Sequence, residues 1–398
     1  MENALKFEHD GQKLTITVSG RIDSNNALEI ESAIKEHLKD VTRVKIDCTS
    51  LEYISSAGLR VLLKIKKIVN NVVLTNVSNE IYDIFELTGF TEMLEIRKGI
   101  RQISVKGCEV IGTGSNAVVY RTDPETIVKV ILSKDALEEI NNERRLARTA
   151  FVLGVPTAIA YDVVQTEEGY YGSAFELLNA DSYQRLLASG EMTVDQIAQM
   201  CVEMLKTVHT RVPRAGALPS KKEFEMERLP RIKEKELLST EVWEKLNAMY
   251  EAIPENPHML HGDFHIKNIM IQNGESLMID MDTICTGDPI FEFSGMFVSY
   301  CAFSEFEPEN TMEFFGITKE TADELFHQIV DRYCQDMDVD RELLVRKARI
   351  LAYTRLLDYC ATGRHMPPER REKCFPFVKK HLEELLPTVE DLSSHISY

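Results

Sequence analysis

Two hydrophobic periodicities alternate along the first hundred residues of the chain. Strand patterns, with apolar and polar positions in alternation, cover residues 13–23, 42–54 and 71–78, and helical spacing covers residues 24–40, 55–71 and 79–94. We expect Ser24 to cap the first helix, because serine favours that position. Strands that alternate with helices predict an α/β domain, residues 1–99, in which helices pack against a sheet.

A different pattern begins after residues 97–107, which we interpret as a link between two domains. Three short strand patterns fill residues 108–131, and they are separated by a glycine-rich turn and by Asp123-Pro124-Glu125. Helical spacing begins at residue 135 and dominates the last hundred residues. A small sheet followed by helices predicts an α+β domain for the rest of the chain.

Ser55 and Ser56 stand where an apolar strand ends and an amphipathic helix begins, shortly before Gly58. Their hydroxyls can cap the first free backbone N–H groups of the helix. A phosphate at this position would meet the same donors and the positive end of the helix dipole. Together with the segment Gly20–Asp23, these residues resemble the STAS domains, the fold of the anti-sigma-factor antagonists, over about residues 5–98.

The resemblance to STAS domains implies a protein partner for the first domain. In regulatory STAS domains, a partner kinase phosphorylates the serine of an Asp-Ser-x-Gly segment. Ser56 takes that place in this sequence, and Ser55 replaces the aspartate. Two interpretations therefore stay open: the serines serve only as a helix cap, or Ser56 is a phosphorylation site that switches partner binding.

The glycine-rich turn after the link lies between two strands. Dinucleotide-binding folds have a similar turn, but there it runs from a strand into a helix. A triphosphate needs close backbone N–H groups, for which Gly112, Gly114 and Ser115 are the candidates, and a fixed cation. Lys129 on the third strand is the candidate cation, although a lysine at a strand edge can also simply face water.

Two further segments fit a nucleotide site. Glu139 and Glu143 share one face of the helix after the third strand, and a kinase needs one glutamate there to hold the lysine. We predict that Glu143 has this role and that Glu139 faces solvent. Further along, Phe175 to Leu178 form a connector after a strand, and we predict that its backbone contacts the adenine, with Phe175 and Leu177 as the candidate residues.

A short hairpin carries the strongest chemical signal. Two apolar runs on either side of the turn Gln272–Glu275 predict paired strands, with Asp263 and Asn268 just before the first and Asp280 at the end of the second. Folding the hairpin brings these three polar residues together. Phosphoryl transfer requires a carboxylate that receives the hydroxyl proton, together with an amide and a carboxylate that bind Mg²⁺.

These motifs resemble the aminoglycoside phosphotransferase and choline kinase group of small-molecule kinases over about residues 105–300. The resemblance implies a two-lobed protein kinase-like fold for residues 100–398, with an N-lobe of about 100–178 and a C-lobe of about 179–398. It makes Asp263 the catalytic base, Asn268 and Asp280 metal ligands, and Lys129 a contact to the phosphates of ATP.

The surroundings of the hairpin favour the small-molecule branch of this group. A protein kinase usually has arginine after the histidine, where Gly262 stands, and Asp-Phe-Gly in place of Asp280-Met281-Asp282. The resemblance makes His261 and Asp288 structural. Glu292 departs from it, because the family usually has aspartate four residues after Asp288.

Composition excludes some other functions. The formal net charge of the 398 residues is −18, with 15 acidic and 13 basic residues in 1–99 against 49 and 33 in the remainder. Such an acidic chain is unsuited to general nucleic-acid binding. No apolar run is long enough for a membrane span, the start is polar, and the eight cysteines are scattered, so we expect a cytoplasmic protein with reduced thiols.

We therefore predict a two-domain chain, an α/β STAS-like domain followed by an α+β kinase-like domain. The predicted activity is transfer of phosphate from ATP, with Mg²⁺, to a hydroxyl of a small molecule, and the STAS domain is regulatory or binds a partner. One alternative is a signalling protein in which Ser56 is phosphorylated and the STAS domain binds an anti-sigma-type partner. Another is a catalytically inactive binding module, against which the intact set Lys129, Asp263, Asn268 and Asp280 argues.

Overall fold

The computed structural model describes residues 5–114, 116–158, 160–364 and 366–398. Its internal contacts divide the chain into two compact units. The first unit comprises the residues up to Ser104 together with Val164–Glu168, and the second comprises Val105–Val163 together with Gly169–Tyr398. In the described ranges, no helix is both long enough and apolar enough to cross a membrane.

The first unit is built on a sheet of the strands β1 to β5 in sequence order. β1 and β2 are antiparallel, and the remaining neighbours are parallel. The strands are β1 (Leu5–Asp10), β2 (Lys13–Ile22), β3 (Arg43–Ile54), β4 (Asn71–Val77) and β5 (Glu95–Lys98), and the helices are α1 (Ala27–Glu36), α2 (Ser56–Ile68), α3 (Asn79–Leu87) and α4 (Phe90–Met93). The predicted α/β order is confirmed, and β1 is a strand that the pattern did not indicate.

Alternation along the strands explains how this unit forms its core. Leu14, Ile16 and Val18 on β2 are buried because they point to the same face of the sheet. The helices bury their apolar stripes against it, with Ile30 and Ile34 on α1. The whole buried apolar cluster lies between residues 14 and 94, so the first unit has a hydrophobic core of its own.

Two local predictions for the first unit are wrong. Ser24 does not cap α1, because Asn26 Oδ1 accepts the Asp23 N–H at 2.9 Å and Asp23 Oδ1 accepts the Asn25 N–H at 2.9 Å. These side-chain bonds close a turn before the helix, which begins at Ala27. The long helix predicted for residues 79–94 is interrupted at Gly89, whose φ of 74° is left-handed.

The segment expected to be a link, residues 97–107, contains the end of one strand and a second short strand. β5 ends at Lys98, and β6 (Arg101–Ile103) pairs in parallel with Val164–Thr166 of β10 (Ala160–Thr166). This pairing explains why Val164–Glu168 belongs to the first unit. Backbone hydrogen bonds between distant segments leave no sequence signal in a three-residue strand, which is why the pattern did not predict it.

The second unit begins with an antiparallel sheet in the order β11-β9-β8-β7. These strands are β7 (Glu109–Thr113), β8 (Ala117–Arg121), β9 (Thr126–Ile131) and β11 (Tyr171–Glu176), and α5 (Leu137–Val152) follows β9. The glycine-rich turn joins β7 to β8, and the Gly114 N–H donates to Ala117 O at 2.8 Å. The turn therefore closes a hairpin, as predicted. Ser115 lies outside the described residues.

The remainder of the second unit is mainly helical. Its helices are α6 (Tyr183–Ala188), α7 (Val194–His209), α8 (Lys221–Met226), α9 (Arg228–Glu234), α10 (Thr240–Ala252), α11 (Ile290–Phe297), α12 (Asn310–Phe315), α13 (Lys319–Tyr333), α14 (Arg341–Thr362) and α15 (Pro368–Leu385). Short strands lie among them: β12 (Asp181–Ser182), β13 (Met259–Leu260), β14 (Ile269–Gln272), β15 (Glu275–Met278) and β16 (Cys285–Thr286). One large apolar cluster packs these elements together.

The predicted hairpin around Gln272–Glu275 is confirmed as β14 and β15. Asn273 and Gly274 have φ values of 54° and 83°, so both central residues of the turn are left-handed. Such a two-residue turn matches the twist of the paired strands, which explains the Asn-Gly sequence. The Ile279 N–H donates to Asn268 O at 2.9 Å and extends the pairing to the polar residues at the open end.

Candidate active site

A cavity of about 760 Å³ lies in the second unit and collects most of the predicted site residues. Its wall includes Gly112 and Gly114 from the glycine hairpin, and Phe175 to Leu178 from the connector. The predicted catalytic loop, residues 261–268 between β13 and β14, and the segment after β15 supply Asp263, Asn268, Asp280 and Asp282, and helices α8, α9 and α14 complete the wall. The structure therefore gathers residues that lie more than 150 positions apart in the sequence.

Lys129 stands at the centre of an ionic cluster in this cavity. Its Nζ lies 2.9 Å from Glu143 Oε1, 2.7 Å from Asp280 Oδ1 and 4.0 Å from Asp282 Oδ2. Burial alone would lower the pKa of Lys129, but the charges of Glu143 and Asp280 outweigh it and raise this pKa. The ammonium group is therefore a permanent cation that is fixed in direction, as a phosphate contact requires.

Glu143, and not Glu139, is the glutamate beside the lysine. Glu143 is only 4% exposed, whereas Glu139 is exposed on the outer part of the same helix face. Burial raises the pKa of Glu143, and the neighbouring Lys129 opposes this effect. A buried carboxylate without a partner would be strongly unfavourable, so the pair depends on both members.

Asp263 is held as an ionised carboxylate on the catalytic loop. Its N–H donates to His261 Nδ1 at 3.3 Å, and His265 Nε2 lies 3.5 Å from Asp263 Oδ2. Burial would raise the pKa of Asp263, but the nearby His265, followed by the charge of Arg355, lowers it well below the usual range. The group is thus in the proton-accepting state at neutral pH.

Gly262 is required by the approach of two backbone segments. Its φ is 83°, and a Cβ placed on it would lie 2.3 Å from the carbonyl oxygen of Thr283. No side chain fits this space. Thr283 Oγ1 also donates to the carbonyl oxygen of His261 at 2.8 Å, so the loop that carries Asp263 is fastened to the turn after Asp280.

Glu292 holds the same loop through hydrogen bonds to its backbone. This carboxylate is 1% exposed and accepts the N–H of His261 at 2.6 Å and the N–H of Gly262 at 3.0 Å. His209 Nε2 lies 3.5 Å away, and His209 Nδ1 is 2.7 Å from Tyr333 Oη. The departure from the family's aspartate therefore falls on a residue that supports the catalytic loop directly.

His261 and Asp288 have structural contacts, as the resemblance implied. His261 Nε2 lies 3.2 Å from the carbonyl oxygen of Ile279, which joins the loop to the hairpin. Asp288 accepts the Ile290 N–H at 2.9 Å, the Ser393 hydroxyl at 3.0 Å and the Ser394 N–H at 3.1 Å. These bonds connect the start of α11 to the segment after α15.

The three oxygen-bearing residues at the end of the hairpin suit a hard cation. Asn268 Nδ2 donates to the Asp263 carbonyl at 3.0 Å, and its Oδ1 accepts no hydrogen bond from the described residues. Asp280 has a left-handed φ of 60° and faces Lys129. Burial and the adjacent Asp280 carboxylate raise the pKa of Asp282 to about 7. Repelling carboxylates beside a free amide oxygen form a donor set that fits Mg²⁺.

Within the connector, Leu177 and Leu178 differ in whether the backbone N–H is available to a ligand. The Leu177 N–H already donates to Glu125 O at 2.7 Å, so it is not available to an adenine. The Leu178 N–H has no partner in the part of the chain that the structure describes. Both residues line the cavity with Phe175, and Leu178 is therefore the better candidate for a backbone donor.

Ser55 and Ser56 in the first unit have different environments. Ser55 caps α2, since its Oγ accepts the Ala57 N–H at 3.2 Å. Ser56 is the first residue of the helix, is exposed, and makes no side-chain hydrogen bond to the described residues. The cap thus requires only Ser55, and the hydroxyl of Ser56 is left accessible.

Sequence reasoning missed several residues of the cavity wall. Asp282 could have been proposed, since it follows Asp280 by two residues and a short 3₁₀ turn, Met281–Thr283, brings both to the cavity. Lys221, Arg355 and Tyr359 also line it. They lie on helices without a recognisable motif, so nothing in the sequence distinguished them from other helix residues.

Comparison with known proteins accounts for both parts of the chain. The STAS domain family matches residues 4–103. An anti-sigma-B factor antagonist of Listeria monocytogenes is 28% identical over 95 residues, which are 23% of this chain and 83% of that protein.

Two solved structures resemble the second part. The ADP-bound aminoglycoside phosphotransferase APH(2'')-Ib has a TM-score of 0.50 at 16% identity, over 76% of this chain and 98% of that one. A variant of APH(4)-Ia with AMP-PNP and hygromycin B also has 0.50, at 13% identity, over 72% and 94%. At such identities the likeness concerns the fold. The phosphotransferase enzyme family matches residues 107–343, which is more than half of the chain. The chain thus belongs to the phosphotransferase enzyme family and carries a STAS domain ahead of the phosphotransferase domain.

Proposed function

We propose that the second domain transfers the terminal phosphate of ATP, with Mg²⁺, to a hydroxyl group of a small molecule. The observation that carries this proposal is the cluster in which Lys129 contacts both Glu143 and Asp280 in the cavity that also contains Asp263. An inactive binding fold has no need of a fixed cation, an ionised carboxylate and an oxygen donor set in one cavity.

The nucleotide would occupy the part of the cavity between the glycine hairpin and the connector. Gly112 and Gly114 permit close approach of the phosphates, and Lys129 neutralises their charge. The adenine edge would face the Leu178 N–H. Asn268 and Asp280, with Asp282 beside them, would hold Mg²⁺, which neutralises charge on the triphosphate when it is bound.

Asp263 would act on the acceptor. It accepts the proton of the acceptor hydroxyl while that oxygen forms a bond to the terminal phosphorus, and the bond from this phosphorus to the bridging oxygen of ATP breaks. ADP then leaves. His265 keeps the carboxylate ionised, and Glu292 keeps the loop in position through the backbone of His261 and Gly262.

The test compares Asp263→Asn with the parent protein. ATP-analogue binding in the presence of Mg²⁺ is measured by calorimetry, and ADP release is measured against a panel of hydroxylated compounds with a blank without acceptor. We expect turnover to fall at least a hundredfold while the analogue affinity changes less than threefold, because Asp263 acts on the acceptor. Asp338→Asn is the matched control, since Asp338 is exposed and does not line the cavity. Turnover close to that of the parent in Asp263→Asn would refute the assignment.

A second function, for the STAS domain, is favoured by the accessible hydroxyl of Ser56. Its relatives are named as anti-sigma-B factor antagonists, and we propose that this domain also binds a protein partner. A phosphate on Ser56 would add a charge of roughly −2 at the start of α2 and alter that binding.

Labelled ATP and mass spectrometry of the intact protein, with and without cell extract, test for this modification. Ser56→Ala removes the acceptor, and Asp263→Asn separates self-modification from the action of another kinase. Absence of label on Ser56 under every condition would leave the STAS domain as a docking domain only.

A further inference from the structure

One wall of the active-site cavity is cationic. Helices α8, α9 and α14, with the loop that follows α14, supply Lys221, Arg228, Arg355 and Arg364 to the lining. The aromatic rings of Phe224 and Tyr359 lie between these cations. Arg228 is 5.2 Å from the Phe224 ring centre and 5.8 Å from that of Tyr359, so the aromatic faces support the guanidinium group.

The carboxylates near this wall do not balance its charge. Glu225 lies 3.4 Å from Lys221 and 2.6 Å from Arg228, and Asp358 lies 2.9 Å from Arg228 and 2.6 Å from Arg231. Two carboxylates are thus shared among three cations, of which Arg231 lies outside the cavity lining, and neither carboxylate forms an ion pair with Arg355. Neither Glu225 nor Asp358 is part of the cavity lining, so the cations face the cavity while the carboxylates stand behind them.

Arg355 feels the charges of Glu225 and Asp263 but is in direct contact with neither carboxylate. Its Nε donates to Tyr359 Oη at 2.7 Å, and within the described ranges no carboxylate oxygen comes within 4.0 Å of its guanidinium group. It also lies next to the catalytic loop. Gly295 lies close to both: a Cβ built on it would be 3.7 Å from Arg355 Nη1 and 4.0 Å from the Gly262 carbonyl oxygen. Gly262 directly precedes Asp263 in the chain.

The negative groups of the cavity lie on its other elements. They lie on the loop before β14, on the segment after β15, on α5 and on β11, and they are Asp263, Asp280, Asp282, Glu139, Glu143 and Glu176. The whole chain is strongly acidic, with a formal charge of −18, so this local excess of positive charge runs against the composition. A cation-lined surface beside a proton-accepting carboxylate is an arrangement for binding an anion whose hydroxyl reaches Asp263.

We propose that the phosphate acceptor is an anionic alcohol, a small molecule that carries a carboxylate or phosphate group as well as the hydroxyl. This inference rests on the proposed phosphotransferase function and specifies its substrate class. The anionic group would lie on Arg355, with Lys221 and Arg364 on the same wall, and the hydroxyl would lie at Asp263. A polycationic acceptor such as an aminoglycoside would meet like charges on this wall.

The reaction is balanced without a further reactant. The acceptor oxygen forms a bond to the terminal phosphorus of ATP, and the bond between that phosphorus and the bridging oxygen breaks. The hydroxyl proton passes to Asp263, and ADP leaves with the electron pair of the broken bond. The anionic group of the acceptor takes no part in the bond changes, and its contact with the cationic wall serves to position the hydroxyl.

A series of probes with one carbon skeleton tests the proposal. Glycerol, glycerate and glycerol 3-phosphate differ in the group at one carbon, which is neutral, a carboxylate or a phosphate, and kanamycin is the polycationic probe. Binding to the full chain is measured by calorimetry after saturation with AMP-PNP and Mg²⁺, so that the triphosphate site is already filled. Arg355→Gln and the exposed Arg364→Gln remove cations from the wall, and Arg346→Gln, on α14 but outside the cavity lining, is the control.

We expect at least one anionic probe to bind at least tenfold more tightly than glycerol, a difference of about 1.4 kcal/mol. Arg355→Gln and Arg364→Gln should each reduce this advantage at least threefold, and Arg346→Gln should leave it unchanged. Equal binding of all probes, binding of none, a preference for kanamycin, or anion binding that disappears when AMP-PNP is present would overturn the proposal. Failure of AMP-PNP itself to bind would instead contradict the proposed function.

Discussion

Replacement of Glu292 tests how the catalytic loop is held. Glu292→Gln keeps the length of the side chain and removes its charge, whereas Glu292→Asp keeps the charge and shortens the side chain by one carbon. The parent carboxylate accepts two backbone N–H groups at 2.6 and 3.0 Å in a site that is 1% exposed. A hydrogen bond to a buried charged group contributes about 1.5–3 kcal/mol.

The two variants should lose stability for different reasons. In Glu292→Gln the amide oxygen can accept one N–H, but the amide NH₂ group then faces the second donor, so one charged hydrogen bond is lost and a buried donor is left without a partner. In Glu292→Asp the shorter side chain cannot reach both N–H groups unless the loop moves. We expect each change to lower the free energy of unfolding by about 2–4 kcal/mol.

The chain contains a single tryptophan, Trp243, which provides a specific assay. This residue belongs to the second unit and donates from Nε1 to the carbonyl oxygen of Leu229 at 2.9 Å. Its fluorescence in a urea titration therefore reports unfolding of the phosphotransferase domain alone. A loss of about 3 kcal/mol in the free energy of unfolding should lower the urea midpoint by about 1 M, if this free energy falls by about 3 kcal/mol per molar urea. Glu309→Gln, at an exposed glutamate, should stay within about 0.5 kcal/mol of the parent.

The effect of Glu292→Gln should depend on pH. Burial would raise the pKa of Glu292, but His209, whose Nε2 lies 3.5 Å away, and His261, whose N–H it accepts, outweigh burial and lower this pKa. A lowered pKa means that the carboxylate stabilises the fold above its unfolded pKa of about 4.3 and loses this contribution as the pH falls. The difference in the free energy of unfolding between the parent and Glu292→Gln should therefore become smaller below about pH 4. A Gln or Asp variant with the parent's urea midpoint and turnover would refute this account of the loop.

Three further predictions follow from local geometry. Gly262→Ala should prevent normal folding of the second unit or abolish turnover, because its Cβ would lie 2.3 Å from a carbonyl oxygen. Gly274→Ala, with the same φ of 83° and open space around it, should lower the free energy of unfolding by only about 1–2 kcal/mol. Urea titration and turnover measurements on both variants test this difference. A fragment of residues 1–99 should fold cooperatively by circular dichroism, since its apolar core is complete within residues 14–94. In that fragment, Ser55→Ala should cost about 1 kcal/mol through loss of the helix cap and Ser56→Ala less than about 0.5 kcal/mol, and equal losses would contradict the separate roles of the two serines.

The sequence by itself determined the elements whose signals are local. The order of strands and helices in the first unit follows from periods of two and 3.6 residues, and the hairpin β14–β15 follows from an Asn-Gly turn between two apolar runs. Asp263, Asn268 and Asp280 could be assigned to one site because a single hairpin is short enough to bring them together. The sequence also placed Glu139 and Glu143 on one helix face, but the contact of Glu143 with Lys129 is seen only in the structure.

Tertiary structure decided the features that depend on segments far apart in the chain. Pairing with β10 made three residues of the expected link, Arg101–Ile103, a strand. A hydrogen bond from the Leu177 N–H to Glu125 left Leu178 as the connector leucine with an available N–H. Arg355 lines the cavity from α14, about 90 residues after Asp263, and no sequence motif indicates this position. Periodicity reports which side of a helix is buried, but the charge on the wall of a cavity depends on how several helices pack, and that is set only when the whole core forms.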